Sequence, residues 1–315
     1  MKPSLTCSLL ALGLAAAMAA CSPTAAGDSS QATTSAEVAG DKAARLDALY
    51  ATYWEEMLEL NPLAATFQGD PRYNDRLPNF LSEEYRDRSR EFTAGWLEKV
   101  EAIGADGLEG QDLLSYQIFV RNAKDELASE QFPSWMQPVN QFYNIASTVV
   151  QLGSGTGAQP FKTVADYDNW SKRASQVSVL FDQAIANMKQ GVEAGVVQPR
   201  ALMEKVLPQL DALIKEDAAD TLFWKPVSDM PESFSVEDKA RITADYRTLI
   251  EQQLMPAYRE LREYIANDYM PHARDTAGMA ALPNGEAWYA FRAKNSTTTD
   301  LSPAQIHQIG LDEVE

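Results

Sequence analysis

Apolar residues recur at steps of three and four along most of this chain, the spacing that stacks side chains on one face of an α-helix. Leu46, Leu49, Tyr50, Tyr53, Met57 and Leu60 form the first stripe. Asn61-Pro62 stops it, because the residue before a proline is driven out of the helical region. Ser82 is placed to cap a second helix that carries Tyr85, Phe92, Trp96, Val100 and Ile103 on one face. Leu113, Tyr116, Val120 and Leu127 mark a third. The most regular stripe, Tyr167, Trp170, Ala174, Val177, Phe181, Ala184, Met188 and Val192, predicts one continuous helix capped by Thr163. Leu202, Val206, Leu210 and Leu213 predict a fifth, bent at Pro208. Ser235 opens a long one through Ile242, Tyr246, Leu249, Leu254, Leu261 and Ile265, interrupted at Pro256. No stretch alternates apolar and polar as a half-buried strand does. The β-branched run Thr148-Val149-Val150 is too short and isolated to count as one.

Two stretches depart from this rhythm. Residues 131–160, rich in aromatics, proline and glycine, predict a long irregular connection of the kind that forms functional surfaces or mobile segments. The other runs from Met270 to Asp300, within which Asn284 is expected to cap a short helix and Glu286 to complement its dipole. Ser302-Pro303-Ala304-Gln305 then spells a capping box with proline at the first helical position, and Ile306, Ile309 and Val314 continue that helix to Glu315 without a terminator. No fixed-period repeat argues for a solenoid. The pattern predicts an all-α, irregular multi-helix domain over residues 41–315.

The first forty residues are of another kind. Lys2 precedes an apolar run from Leu9 to Ala20 that is too short to span a bilayer, followed by small residues and Cys21, which is the layout of a secretory signal over residues 1–20. Met18-Ala19-Ala20-Cys21 resembles the bacterial lipobox, with Met18 in place of the usual Leu, and makes Cys21 the expected lipidation site. Residues 22–40, dominated by Ser, Thr, Ala and Gly, read as a flexible tether. With Ser22 after the cysteine, the expectation is an outer-membrane lipoprotein facing the periplasm. Ordinary cleavage near Ala19 would instead leave a soluble periplasmic protein. Cys7 lies within the signal, so the mature chain has no second cysteine for a disulfide and its core alone must hold it.

Charge and motif narrow the chemistry. With 45 Asp and Glu against 27 Lys and Arg, and no basic run, nucleic acid is excluded as a partner. The two histidines, His272 and His307, lack the one-turn spacing that lets two imidazoles reach one zinc. His272 reads as a helix-end cap and His307 as a surface or packing residue. Gly153-Ser154-Gly155-Thr156-Gly157 lacks the Lys-Ser/Thr of a phosphate loop and reads as a flexible connection, and no Gly-x-Ser-x-Gly elbow occurs.

The segments Leu282-Pro283-Asn284-Gly285-Glu286-Ala287-Trp288-Tyr289, Thr297-Thr298-Thr299-Asp300-Leu301-Ser302-Pro303 and Ile306-His307-Gln308-Ile309-Gly310-Leu311-Asp312-Glu313-Val314 together resemble the bacterial DUF885 family, as does Leu60-Asn61-Pro62-Leu63-Ala64-Ala65-Thr66. The resemblance implies a helical fold of the zinc-metallopeptidase type with a deep cleft, and hydrolysis of peptide-like amides by zinc-activated water. The family's motif, His-Glu-x-x-Pro-Gly-His-His, falls downstream of the threonine segment and is not in this chain. The expectation is therefore an N-terminal portion with no catalytic residue and no metal ligand of its own, whose relatives bind zinc and which by itself binds none. Asn284, Gly285, Tyr289, Arg292, Thr297, Thr298 and Thr299 are the candidate contacts to a peptide-like substrate, a polar turn set beside aromatics. Against that stands a plain packing role for Trp288, Tyr289 and Phe291. A helical lipoprotein that binds peptides or envelope partners without catalysis is the alternative reading.

Lipidation at Cys21 is directly testable. Each buried CH₂ of an acyl chain contributes ~0.8 kcal/mol of membrane affinity, and more than one chain gives stable anchoring. Cys21→Ala is expected to move the protein from the membrane to the soluble envelope fraction on cell fractionation. An unchanged distribution, with no lipid on the mature N-terminus, would rule out the anchor.

Overall fold

A computed structural model describes residues 29–142 and 144–314, with side chains from Asp41 onward. The signal segment and Cys21 lie outside the described residues. Within those residues the backbone is helical, with two isolated bridges, Val139 to Asn144 and Pro199 to Arg274, and no strand.

Helices α1 (Ser29–Leu60), α2 (Pro62–Phe67), α3 (Glu83–Glu101) and α4 (Gly110–Ser129) form the N-terminal layer. The helix of α1 starts at Ser29 rather than beyond Gly40, so it takes in much of the stretch read as a tether; Ala32, Ala36 and Ala39 are strong helix formers that outweigh the low overall hydrophobicity there. Asn61 ends α1 and caps α2 by accepting from Ala64 N at 3.2 Å. Ser82 caps α3 as expected, accepting from Tyr85 N at 3.1 Å. Leu46, Val100, Ile103 and Leu108 make a small core here, with Tyr50, Tyr116 and Phe119 packed on it.

The main core is built by α5 (Ile145–Gly153), α6 (Val164–Ala174), α7 (Val177–Ala194), α8 (Arg200–Leu213), α9 (Lys225–Ser228), α10 (Val236–Leu249) and α11 (Met255–Tyr264). Two expectations are corrected. The Thr163 stripe is two helices, because the chain turns at Ser175 and Gln176 while both halves still face one core; Trp170 and Phe181 are each 1 % exposed. Residues 131–160 contain α5, which buries Ile145, Ala146, Val149, Val150 and Leu152, so its β-branched residues serve a helix in the core. The glycine run after it is not slack either: a Cβ on Gly153 would overlap Trp170 and Phe223. Around Pro256 the long helix widens instead of breaking. Ile250–Leu254 is a π-helical turn just before Pro256, and Ile265–Tyr269 is another just before Pro271, each placed where a proline lacks the N–H of a regular α-helix. The buried tyrosines tie these helices across the core, Tyr167 donating to Pro226 O (2.7 Å), Tyr246 to Tyr167 O (3.2 Å) and Tyr258 to Ala146 O (2.6 Å).

Helices α12 (Gly285–Thr297) and α13 (Pro303–Asp312) lie at the far end. Trp288 is buried and stacks on Phe132 with ring centres 5.6 Å apart, and Phe291 meets the same ring at 5.3 Å. Asn284 does not cap with its side chain; it adopts the left-handed region (φ 55°) and makes no cap bond. Gly285 forces this turn, since a Cβ there would overlap the Met279 carbonyl oxygen. The Ser302–Gln305 capping box forms in full.

Arg173, in the last turn of α6, is 0 % exposed and faces no carboxylate within bonding reach. It donates to Arg76 O (2.9 Å), Gln159 Oε1 (2.5 Å), Thr66 Oγ1 (2.9 Å) and Tyr73 O (2.6 Å). Removing one partner of a buried charged network leaves acceptors unsatisfied at ~1–3 kcal/mol each. Arg173→Met is expected to cost at least ~3 kcal/mol in denaturant unfolding. A variant as stable as the parent would show that the α2 segment is held by other contacts.

Candidate functional site

One face of α4 bears Ser115, Ile118, Asn122, Glu126 and Ser129 at helical spacing, beside the stripe that packs on α1 and α3. Three cavities open along it. The first, about 430 Å³, lies among α1, α3 and α4 and is walled by Tyr50, Tyr53, Trp54, Trp96 and Phe119. The second, about 500 Å³, lies between α4 and α12 and is lined by Asn122, Asp125, Ser129, Trp288, Arg292 and Asn295 among others. The third, about 300 Å³, is bounded by Tyr85, Arg86, Arg90, Phe132 and Trp135. Glu126 lines all three, so they share this residue as a wall.

The electrostatics of this groove follow from its walls. Glu126 keeps contact with solvent, yet the surrounding protein desolvates its carboxylate and raises its pKa, against the hydrogen bond from Thr93 Oγ1 (3.1 Å) and with help from Glu130. The same desolvation raises the Tyr53 phenol, with the Glu126 charge adding to it. Most cations near the groove are spoken for. Arg90 pairs with Glu130 and Asp87, Arg121 with Asp125, and Arg86 lies 4.2 Å over the Trp135 ring. Arg292 forms no hydrogen bond or ion pair among the described residues, and it lines both the second cavity and a further one of about 420 Å³ between α12 and α13.

The structure gathers some of the residues anticipated from sequence and scatters others. Tyr289, Arg292 and Thr297 line the cavity between α12 and α13. Asn284 is exposed on the turn before α12 and lines none of these cavities, and Gly285 is buried against Met279. The threonine hydroxyls serve the end of α12. Thr297 donates to Ala293 O (2.8 Å) and lies 3.0 Å from the Thr299 hydroxyl, while Thr298 sits in the left-handed region at φ 61°, a strained position for a β-branched residue. The α4 face and the aromatic wall were not anticipated. Tyr50, Tyr53 and Trp96 stand on the apolar stripes of their own helices, where nothing marks them as one wall, and the second stripe on α4 is small and polar.

Among the described residues no three His, Cys, Asp or Glu side chains are grouped to hold a metal ion. His272 and His307 are both exposed, on separate elements. No helix of the described residues is long and apolar enough to cross a membrane.

A family model described as "Bacterial protein of unknown function (DUF885)" matches residues 62–315. Among solved structures, "the putative lipoprotein from Colwellia psychrerythraea" is similar, with a TM-score of 0.73 at 20% sequence identity. The likeness covers 87% of this chain and 49% of that one, so this chain spans about half the length of its structural relative. At that identity the likeness establishes the fold. Comparison with curated proteins gives no match.

Because the fold disfavours ionised Glu126, this group lowers stability as pH rises through its ionisation, and the penalty disappears where it is protonated in both states. Glu126→Gln removes the charge and keeps the shape. Its Tm at pH 7 is expected to equal or exceed that of the parent, with the difference closing below the carboxylate range. A Tm lower by several degrees would mark Glu126 as a structural ion.

Proposed function

We propose that this chain, which belongs to the DUF885 family, carries the substrate-binding groove of an exported lipoprotein that acts on peptide-like amides. The observation that carries this reading is Arg292, an unpaired guanidinium on the groove of a chain with a net charge of −18. In such an excess of acid, a cation left without a partner beside a cavity is available to an anionic group of a ligand, and guanidinium binds carboxylate with paired, charge-assisted hydrogen bonds. The rest of the groove suits a peptide. Asn122, Ser129 and Asn295 offer donors and acceptors to a backbone, and the aromatic walls offer apolar area to side chains.

Export and lipidation draw on the signal layout ending in Cys21 and on the lipoprotein description of the structural relative. The family resemblance implies that zinc would polarise the amide carbonyl and activate water. The described residues do not assemble a metal cluster, so the role given to them is to bind and orient the peptide, and no bond-breaking step is assigned to them.

Isothermal titration with short peptides tests the reading. Arg292→Ala is expected to weaken peptides with a free C-terminal carboxylate by about tenfold or more, from the ~1.5–3 kcal/mol of a charged hydrogen bond, and to leave amidated peptides unaffected. Equal affinities for parent and variant would remove Arg292, and with it the main support for this function.

A further inference from the structure

The aromatic cavity among α1, α3 and α4 has a chemistry distinct from the Arg292 end of the groove. Its wall is aromatic and its charge is one-sided: among the described residues Glu126 is the single carboxylate lining it, and no lysine or arginine does so. The rings are inclined to one another. Tyr53 meets Trp96 edge-on at 5.7 Å and 81°, and meets Phe119 at 5.0 Å and 80°. Ring faces thus turn in several directions around one space, and an aromatic face is the negative part of the ring. One of them already holds a cation, since Lys99 Nζ lies 3.8 Å from the centre of the Trp96 ring. Trp96 is fixed for that contact by its Nε1 donating to Glu56 Oε2 at 3.0 Å.

Two polar atoms are left short of partners. Tyr50 Oη is buried and has none among the described residues, although a phenol can both donate and accept. Glu126 receives one side-chain hydrogen bond, from Thr93, and a carboxylate has room for several. Tyr50 Oη is closed off from the cavity space, so the discriminating group is Glu126, which a neutral apolar ligand would leave without a further partner. An anion would meet Glu126 and the negative charge of the whole chain. A cation with an apolar body satisfies the rings and the carboxylate together.

We propose that this cavity is a binding site for an organic ammonium group, held by the rings of Tyr53 and Trp54 and by the carboxylate of Glu126. Whether the ammonium is primary, as on an amine, or quaternary, as in a choline group, is set by the number of N–H donors the site can use. The inference does not rest on the peptide reading, because it needs only this cavity.

Trp54 and Trp96 in the wall make tryptophan fluorescence of the whole chain the natural readout. Titration with n-butylammonium and with choline is expected to give a saturable change, while the neutral isosteres n-butanol and 3,3-dimethylbutan-1-ol give none. The stronger of the two cations identifies the ammonium type. Glu126→Gln and Trp54→Ala are each expected to weaken binding about fivefold or more. Trp54 is 42 % exposed at the mouth, so its replacement leaves the fold standing, which circular dichroism verifies. Equal response to cation and neutral isostere, or unchanged affinity in both variants, would overturn the proposal. Either result leaves the Arg292 titration free to succeed or fail on its own.

Discussion

The guanidinium of Arg173 is buried and hydrogen-bonded to neutral acceptors alone among the described residues, with Asp75 near enough to act on it only through its charge, and the placement of the N-terminal layer depends on that arrangement. Thr66 on α2, the carbonyls of Tyr73 and Arg76, and Gln159 after α5 all converge on it. Desolvation lowers its pKa to about 10, which still leaves it charged at neutral pH. A buried charge must be saturated with hydrogen bonds, so the segment from Thr66 to Arg76 has little freedom to move away from α6. Thr66 and Asn74, themselves buried, extend the network by bonding to each other at 2.8 Å.

That tie joins the N-terminal layer to the main core, and a third buried cluster, Phe132, Val196, Leu282 and Trp288, carries α12. The small core of α1, α3 and α4 and the large core of α5 to α11 bury different stripes. The α4 face that neither needs stays open, and α12 closes over its far end through Trp288 and Phe132. Ligand sites tend to form where packing units meet, because concave space arises there without the cost of an empty core. The aromatic cavity among α1, α3 and α4 and the Arg292-lined cavity between α4 and α12 share Asn122 and Glu126 in their walls, so one α4 face serves both a cationic and a cation-seeking site.

Much of the architecture follows from local rules. The caps at Asn61, Ser82, Thr163, Ser235 and Ser302 form because a side-chain oxygen next to a helix start satisfies an orphan N–H whatever the rest of the chain does. Helical periodicity marks buried faces for the same reason. It fails where a stripe continues across a change of direction, as at Ser175, and where β-branched residues are helical because they are buried, as in α5. The site was legible in part. Tyr289, Arg292 and Thr297 stand out as polar and aromatic residues in a distinctive segment, but Asn284 and Gly285 belong to a turn whose geometry is set by Met279, which no neighbouring residue announces.

By itself the sequence determined the all-α class, the helix starts at Ser82, Thr163, Ser235 and Ser302, and the family, because each rests on residues within a few positions of one another or on a contiguous motif. Tertiary structure decided the rest. The aromatic cavity joins Tyr50 and Tyr53 of α1 to Trp96 of α3 and Phe119 of α4, and the groove joins Glu126 to Arg292 of α12. Which helices lie side by side depends on how three buried clusters share one chain and on a buried arginine that binds four distant acceptors. Those are long-range constraints, and periodicity along a helix carries no trace of them.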